Sequence, residues 1–331
     1  MPDAVLGADL MRRATEADCC RGPDRDLLRL LREDAPIYAG RGAVESERLR
    51  AFVMECVSNA GLAPEAWAFI REELETGMDP YAVAAAARAV RSLPSPPRGI
   101  ERLLRGAADR ISAVDETVWL ASYPAPQGAA GPSAVAEVME TLAIVGRLAN
   151  DTMPPICADQ TSPKETAVPN AIADLADVEL EDQDGRLITF AELFSGRAGV
   201  ISFFYTRCMN PNKCSRTIAR LGALRDLVGD TAVVVAGITY DPAYDLPERL
   251  RRYGEVRGFR FGPLSRLLRT TGSFEPIRRA LELGVGYGAA TVNRHAVELF
   301  VIDRTGRLSA FERQLWNEQD VAAAVLGAEV G

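Results

Sequence analysis

The pattern of apolar residues changes period once along this chain, across a stretch from Asn150 to Asn170 that contains Pro154, Pro155, Pro163 and Pro169. Proline fixes φ and removes a backbone donor, so such a cluster ends regular structure on both sides. Upstream, the segments DRDLLRLLRED, SERLRAFVMECVSNA, APEAWAFIREELETG and DPYAVAAAARAVRSL place apolar residues three and four apart, the spacing of an amphipathic helix. Downstream, short apolar runs alternate with helical segments. The spacing therefore predicts an all-helical domain over residues 1–149, a Pro-rich linker over 150–170 and an α/β domain over 171–331. A chain of 331 residues is long enough to build two such cores.

Within the helical part, the pair from Ala63 to Leu93 resembles one HEAT-type unit: an amphipathic helix, a turn through Gly77 and Asp79, then an Ala-rich helix carrying Arg88 and Arg91. A vaguer second unit runs from Arg98 to Leu148. Such units bury a continuous core only when several stack, so a short HEAT-like solenoid is the expectation and a plain helical bundle the alternative. Scaffolding or docking of a protein partner is the role this part suggests.

The net charge of −8, from 46 acidic and 38 basic residues, gives no electrostatic footprint for nucleic acid or anionic lipid. No apolar run of membrane-spanning length and no leader-like start are present, so the expected location is cytoplasmic. Six cysteines, at 19, 20, 56, 157, 208 and 214, are too few for a disulfide scaffold in this length. In a reducing compartment any disulfide among them would be a working one.

Past the linker, VELEDQDGRLITF reads as two short strands about a Gln-Asp-Gly turn, followed by the helix FAELFS. The run AGVISFFYT is a buried strand that empties into RCMNPNKCSRTIARLGALRDLV, a loop opening an amphipathic helix. A second buried strand TAVVVAGITY, a helix around DLPERLRRYGE, and the pair VELFVID and GRLSAFER about a turn from Arg304 to Gly306 complete a thioredoxin-like order.

That order delivers Cys208 and Cys214 to the end of a central strand and the start of the next helix. A thiolate there has a lowered pKa, and Lys213 and Arg207 push the same way, so both cysteines are expected to be reactive. His295 is the sole histidine of the chain, following a loop with Gly284, Gly286 and Gly288 that reads as flexible. Two thiolates and an imidazole make a soft three-ligand set suited to Cu(I) and adequate for Cu(II) or zinc.

Four stretches then resemble the Sco/SenC copper proteins: FFYTRC ending at Cys208, Cys214 opening its helix, ITYDPAYDLPERLRRY from Ile238 to Tyr253, and NRHAVELFVIDRTGRL from Asn293 to Leu308. The second text carries Asp241, Pro242, Asp245 and Pro247 in a DPxxDxP pattern. The resemblance implies a thioredoxin-like domain in which Cys208, Cys214 and His295 are copper ligands. Two departures stand out. Five residues, MNPNK, separate the cysteines where the family has three, and Ser215 stands where a proline is common. Family members typically sit on the oxidising side of a membrane and deliver copper to cytochrome oxidase, which a soluble helical start does not match.

The function expected is handling or delivery of copper to a cytoplasmic protein partner docked on the helical domain. Two alternatives use the same residues: a thiol-disulfide or peroxide oxidoreductase with Cys208 and Cys214 as catalytic cysteines, or a copper-dependent tailoring enzyme. Among the remaining cysteines, Cys56 is expected in a helical core, Cys157 is a candidate resolving thiol, and Cys19 and Cys20 make a poor metal site. Carboxylate pairs such as Glu72 and Glu73 read as solvated, and Asp241 and Asp245 as caps of the following helix. HExxH, Walker and GxSxG patterns are absent from the sequence.

Overall fold

The computed structural model describes residues 3–15, 23–151, 166–168, 174–229, 231–288, 291–311 and 316–330. Cys19, Cys20, Cys157 and most of the Pro-rich linker lie outside them. Two compact units divide the chain: Met1–Ala158 with Gly286–Arg294, and Asp159–Val285 with His295–Gly331.

The first unit carries α1 (Asp3–Thr15), α2 (Asp26–Arg29), α3 (Ala43–Asn59), α4 (Trp67–Thr76), α5 (Pro80–Val90), α6 (Ile100–Ile111) and α7 (Ala134–Asp151). Helix α5 starts where the Asp79 side chain accepts the Ala82 N–H at 3.2 Å, with Pro80 in the first turn. Its sequence PYAVAAAARAV is buried on nearly every face, because small side chains let neighbouring helices approach from all directions. Helices α3, α4, α6 and α7 all pack on it. Helices α4 and α5 pair, as do α6 and α7, with α4 also lying on α6 and α5 on α7. The expected core position of Cys56 is observed, and burial pushes its thiol up to about 12.

A charged cluster lies inside this helical core. Arg50, on α3, is fully buried and pairs with Glu33 at 3.4 Å and Glu73 at 3.6 Å. Glu72 and Glu73 are themselves buried, not solvated as adjacent carboxylates suggest. Nearby, burial and then the charges of Glu47 and Glu73 push the Asp79 carboxyl up to about 7. The folded state therefore holds a proton that the unfolded chain releases near its ordinary value of 3.8. The resulting stability is fully present below that value and is lost as pH rises to about 7. Asp79→Asn, neutral at every pH and still able to accept the Ala82 N–H, is expected to flatten this decline. Thermal melting of both proteins across the window checks it, and parallel pH profiles would refute the assignment.

The second unit is built on an eight-stranded sheet in the order β1, β10, β9, β4, β5, β6, β2, β3. The strands are β1 (Thr166–Val168), β2 (Glu179–Asp182), β3 (Leu187–Thr189), β4 (Gly199–Phe204), β5 (Val234–Thr239), β6 (Ser265–Thr270), β9 (Leu299–Ile302) and β10 (Leu308–Phe311). A separate pair holds β7 (Val285–Tyr287) and β8 (Val292–His295). Helices α8 (Phe190–Phe194), α9 (Arg216–Val228), α10 (Pro247–Val256), α11 (Glu275–Ala280) and α12 (Glu318–Val330) complete the unit. Strands β4, β5 and β6 run parallel, and β9 is antiparallel to β4. Every residue of β4 and β5 is buried, as expected of central strands covered on both faces. The β4, α9, β5 crossover followed by the β9 and β10 hairpin and α12 is the thioredoxin arrangement. Among the described residues no helix is long and apolar enough to cross a membrane.

Candidate metal centre

Buried strand β4 ends at Phe204 and hands the chain to Tyr205, Thr206, Arg207 and Cys208. Met209, 92% exposed, marks the outer edge of the loop. Asn210 then accepts the Asn212 N–H at 2.9 Å and opens a π-helical turn, Pro211–Ser215, that leads into α9. The wider turn accommodates the five residues between the cysteines and places Cys214 on its inner side, fully buried.

Both aspartates of the DPxxDxP text brace this loop. Asp245 accepts the Thr206 N–H at 3.0 Å and hydroxyl bonds from Thr206 and Thr239. Asp241 accepts from the Arg207 guanidinium, through Nε at 3.1 Å, and Arg207 lies over the Tyr244 ring at 4.1 Å. The expectation that these aspartates cap the following helix is corrected: α10 begins after Leu246 with no side-chain cap. Arg207 is thus engaged with Asp241, while Lys213 Nζ donates to the His295 carbonyl at 3.0 Å. Ser215 contacts Arg257 at 3.0 Å and the Tyr253 hydroxyl at 3.4 Å, a polar use of the position.

His295 ends β8 and is 4% exposed. Its Nδ1 lies 2.7 Å from the Ala296 carbonyl, which also accepts the Tyr240 hydroxyl at 3.3 Å. A carbonyl can only accept, so Nδ1 carries a proton and Nε2 is the ring nitrogen left on the other side. His295 Nε2 faces Cys208 Sγ and Cys214 Sγ, each at 3.4 Å. The Tyr205 and Tyr240 rings, at centroid distances of 5.3 and 5.4 Å, fix the imidazole plane. All three donor atoms lie within 4.8 Å of one another. Donors held roughly 2.0–2.3 Å from a common metal stand about 3.5–4 Å apart, so the three side chains fit one small ion with little movement.

The two thiols differ in kind. The Cys214 S–H, then the His295 ring, stabilise a thiolate at Cys208 and bring its pKa down to about 3 against the opposing effect of burial. Burial, and then the neighbouring Cys208 charge, raise Cys214 despite the Tyr205 N–H and Lys213. The expectation of two lowered pKa values is therefore corrected: one negative charge sits on the pair, because a second beside it in a dry site is too costly. Reduced, metal-free protein is expected to show a thiolate at pH 7 that Cys208→Ser removes and that persists until pH approaches about 3. Ultraviolet thiolate absorbance measures it, and equal absorbance in the variant would contradict the assignment.

The SCO1/SenC family model matches residues 173–328, and with it every residue just described. The match to the SCO1/SenC family model thus spans residues 173–328. Part of the chain is also similar to solved structures. A putative electron transfer protein from Aquifex aeolicus is 17% identical, with 50% of this chain and 94% of that one covered and a TM-score of 0.41. ScoI from Bradyrhizobium japonicum with copper bound is 23% identical over 46% of this chain and 96% of its own, TM-score 0.37. ScoI from Arabidopsis thaliana with copper bound is 21% identical over 46% and 94%, TM-score 0.37. No curated protein matches the chain in sequence.

Proposed function

We propose that Cys208, Cys214 and His295 bind copper as Cu(I), and that the protein handles or delivers this ion to a protein partner. The observation that carries the proposal is the His295 Nε2 atom set at 3.4 Å from both sulfurs, with its ring fixed from behind by Ala296. Soft thiolates and an imidazole in a dry, three-donor pocket favour Cu(I) over harder divalent ions. Burial of Cys214 and His295 excludes water as a fourth ligand, while the outermost sulfur, Cys208, sits beside exposed Met209 and offers the path of entry. Binding Cu(I) to two thiolates leaves a net charge of −1, which Lys213 Nζ, fixed on His295, offsets. We place the protein in the cytoplasm and assign partner docking to the helical unit, whose amphipathic helices offer the surface.

One feature supports a second use of the same residues. A thiolate at Cys208 beside a protonated Cys214 is the resting state of a dithiol oxidoreductase. Cys208 would attack a partner disulfide, expelling one partner thiolate. Cys214, giving up its proton to that thiolate, would then displace the second partner sulfur and leave Cys208 and Cys214 joined. Anaerobic titration of the reduced protein with Cu(I) separates the two readings. Uptake of one copper per chain, with protection of Cys208 and Cys214 from alkylation, is the expected result. Alkylation of both cysteines at the same rate with and without copper would overturn the copper reading and leave the dithiol one.

A further inference from the structure

One carboxylate interrupts AVELFVI, the apolar text that follows His295, and the three-donor site does not use it. Glu298 stands half-buried between Val297 and Leu299, which are both buried. An acid costs stability in such a place unless its oxygens are satisfied. Here they turn to different partners. Oε1 accepts the Gly284 N–H at 2.8 Å, and Oε2 accepts from the Tyr240 hydroxyl at 3.4 Å. The Gly284 carbonyl in turn accepts the Ala296 N–H at 2.8 Å, and the same Tyr240 hydroxyl lies 3.3 Å from the Ala296 carbonyl. Gly284, which the sequence suggests lies in a flexible loop, is thus bonded through both its N–H and its carbonyl. All of these residues belong to the second unit, as does His295.

We propose that Glu298 is a positioning residue for His295, a clamp that joins Gly284 to Tyr240. The inference rests on the reading of His295 as a metal ligand, and it adds to that site a residue outside the three donors. The ring direction of His295 is set by the bond from Nδ1 to the Ala296 carbonyl, at 2.7 Å, and by the Tyr240 ring, 5.4 Å away between centroids. Both supports lead to Glu298. The Ala296 peptide is gripped at its N–H by Gly284 and at its carbonyl by Tyr240, and one carboxylate ties those two groups together. The Tyr240 hydroxyl has a single hydrogen, which the Ala296 carbonyl and Glu298 share. The carboxylate therefore also sets how firmly Tyr240 holds the carbonyl that orients the imidazole. Ligand atoms must be kept within about 0.5 Å of productive geometry, and the outer partners of a ligating histidine are what fix its ring.

Because the chain has a single histidine, ring labelling gives one unambiguous set of nuclear resonances, read without any metal. Glu298→Val, which suits a strand, removes the clamp. Glu298→Gln keeps an oxygen for the Gly284 N–H and offers an amide N–H to the Tyr240 oxygen. In metal-free protein the ring signals of His295 are expected to shift and broaden in Glu298→Val and to return towards the parent in Glu298→Gln. Ser202→Ala is the control: the Ser202 hydroxyl bonds the Glu298 backbone carbonyl at 2.6 Å, so its loss leaves the carboxylate contacts in place and the ring signals near the parent. Cu(I) affinity, by competition with a chelator, is expected to fall roughly 10-fold in Glu298→Val, the lower end of the loss when an outer partner of a metal ligand is removed. Should Glu298→Val fail to fold, Tyr240→Phe keeps the ring, deletes the hydroxyl and is expected to shift the same signals. Unchanged ring signals in folded variants, or an equal shift in Ser202→Ala, overturn the positioning role whatever the copper result. A parent that binds no copper overturns the metal reading, and the ring signals still decide this proposal.

Discussion

Cys214→Ser is expected to lose Cu(I) binding by well over the ~100-fold that removal of an outer-shell support costs. Serine keeps the size of the side chain but replaces a soft thiolate with a hydroxyl that neither ionises near neutral pH nor binds Cu(I) well. Cys214 is the fully buried donor, so no water reaches the vacated position to substitute for it. The serine hydroxyl still donates to Cys208 as the Cys214 S–H does, so the Cys208 thiolate is expected to persist while copper binding is lost. Cys208→Ser leaves a more accessible gap beside Met209, and its loss of affinity should be the smaller of the two. Chelator competition on both variants, under reducing conditions, gives the ranking. Equal, small losses would show that the sulfurs do not converge on one ion.

The second large effect concerns stability. Arg50→Met is expected to destabilise the helical unit by about 3–5 kcal/mol, the usual consequence of removing one partner from a buried ion pair. Arg50 is fully buried, donates to the Leu31 carbonyl, and faces Glu33 and Glu73. Its loss leaves two carboxylates in a dry core with Arg294 as the nearby cation. Those carboxylates would take up protons, so the deficit should shrink as pH falls. Denaturant melts of parent and variant at two pH values test both the size and its direction. A loss within the scatter of surface substitutions, about 0.5 kcal/mol, would mean that the cluster does not stabilise the helical core.

The strand, cysteine loop and helix were legible in the sequence because the text is local. AGVISFFYT carries its own burial signal, and Cys208 and Cys214 follow without a break. His295 was legible for a different reason: a sole histidine beside a strand is rare enough to weigh against two nearby cysteines, and the Sco/SenC resemblance places it. What the sequence did not show are the interactions between residues far apart in it. Asp241 and Asp245 look like helix caps until folding brings them to Arg207 and Thr206. Glu73 looks solvated until Arg50 and Arg294 arrive from opposite ends of the chain. The opposed shifts of Cys208 and Cys214 depend on their mutual distance, which spacing alone does not give.

The proposed site holds one copper ion between two sulfurs and one imidazole, those of Cys208, Cys214 and His295. X-ray absorption at the copper edge of the Cu(I)-loaded protein reports this coordination directly. Two sulfur scatterers and one nitrogen, with the nitrogen lost in His295→Ala, is the result expected. A shell of sulfur alone, unchanged in His295→Ala, would contradict it.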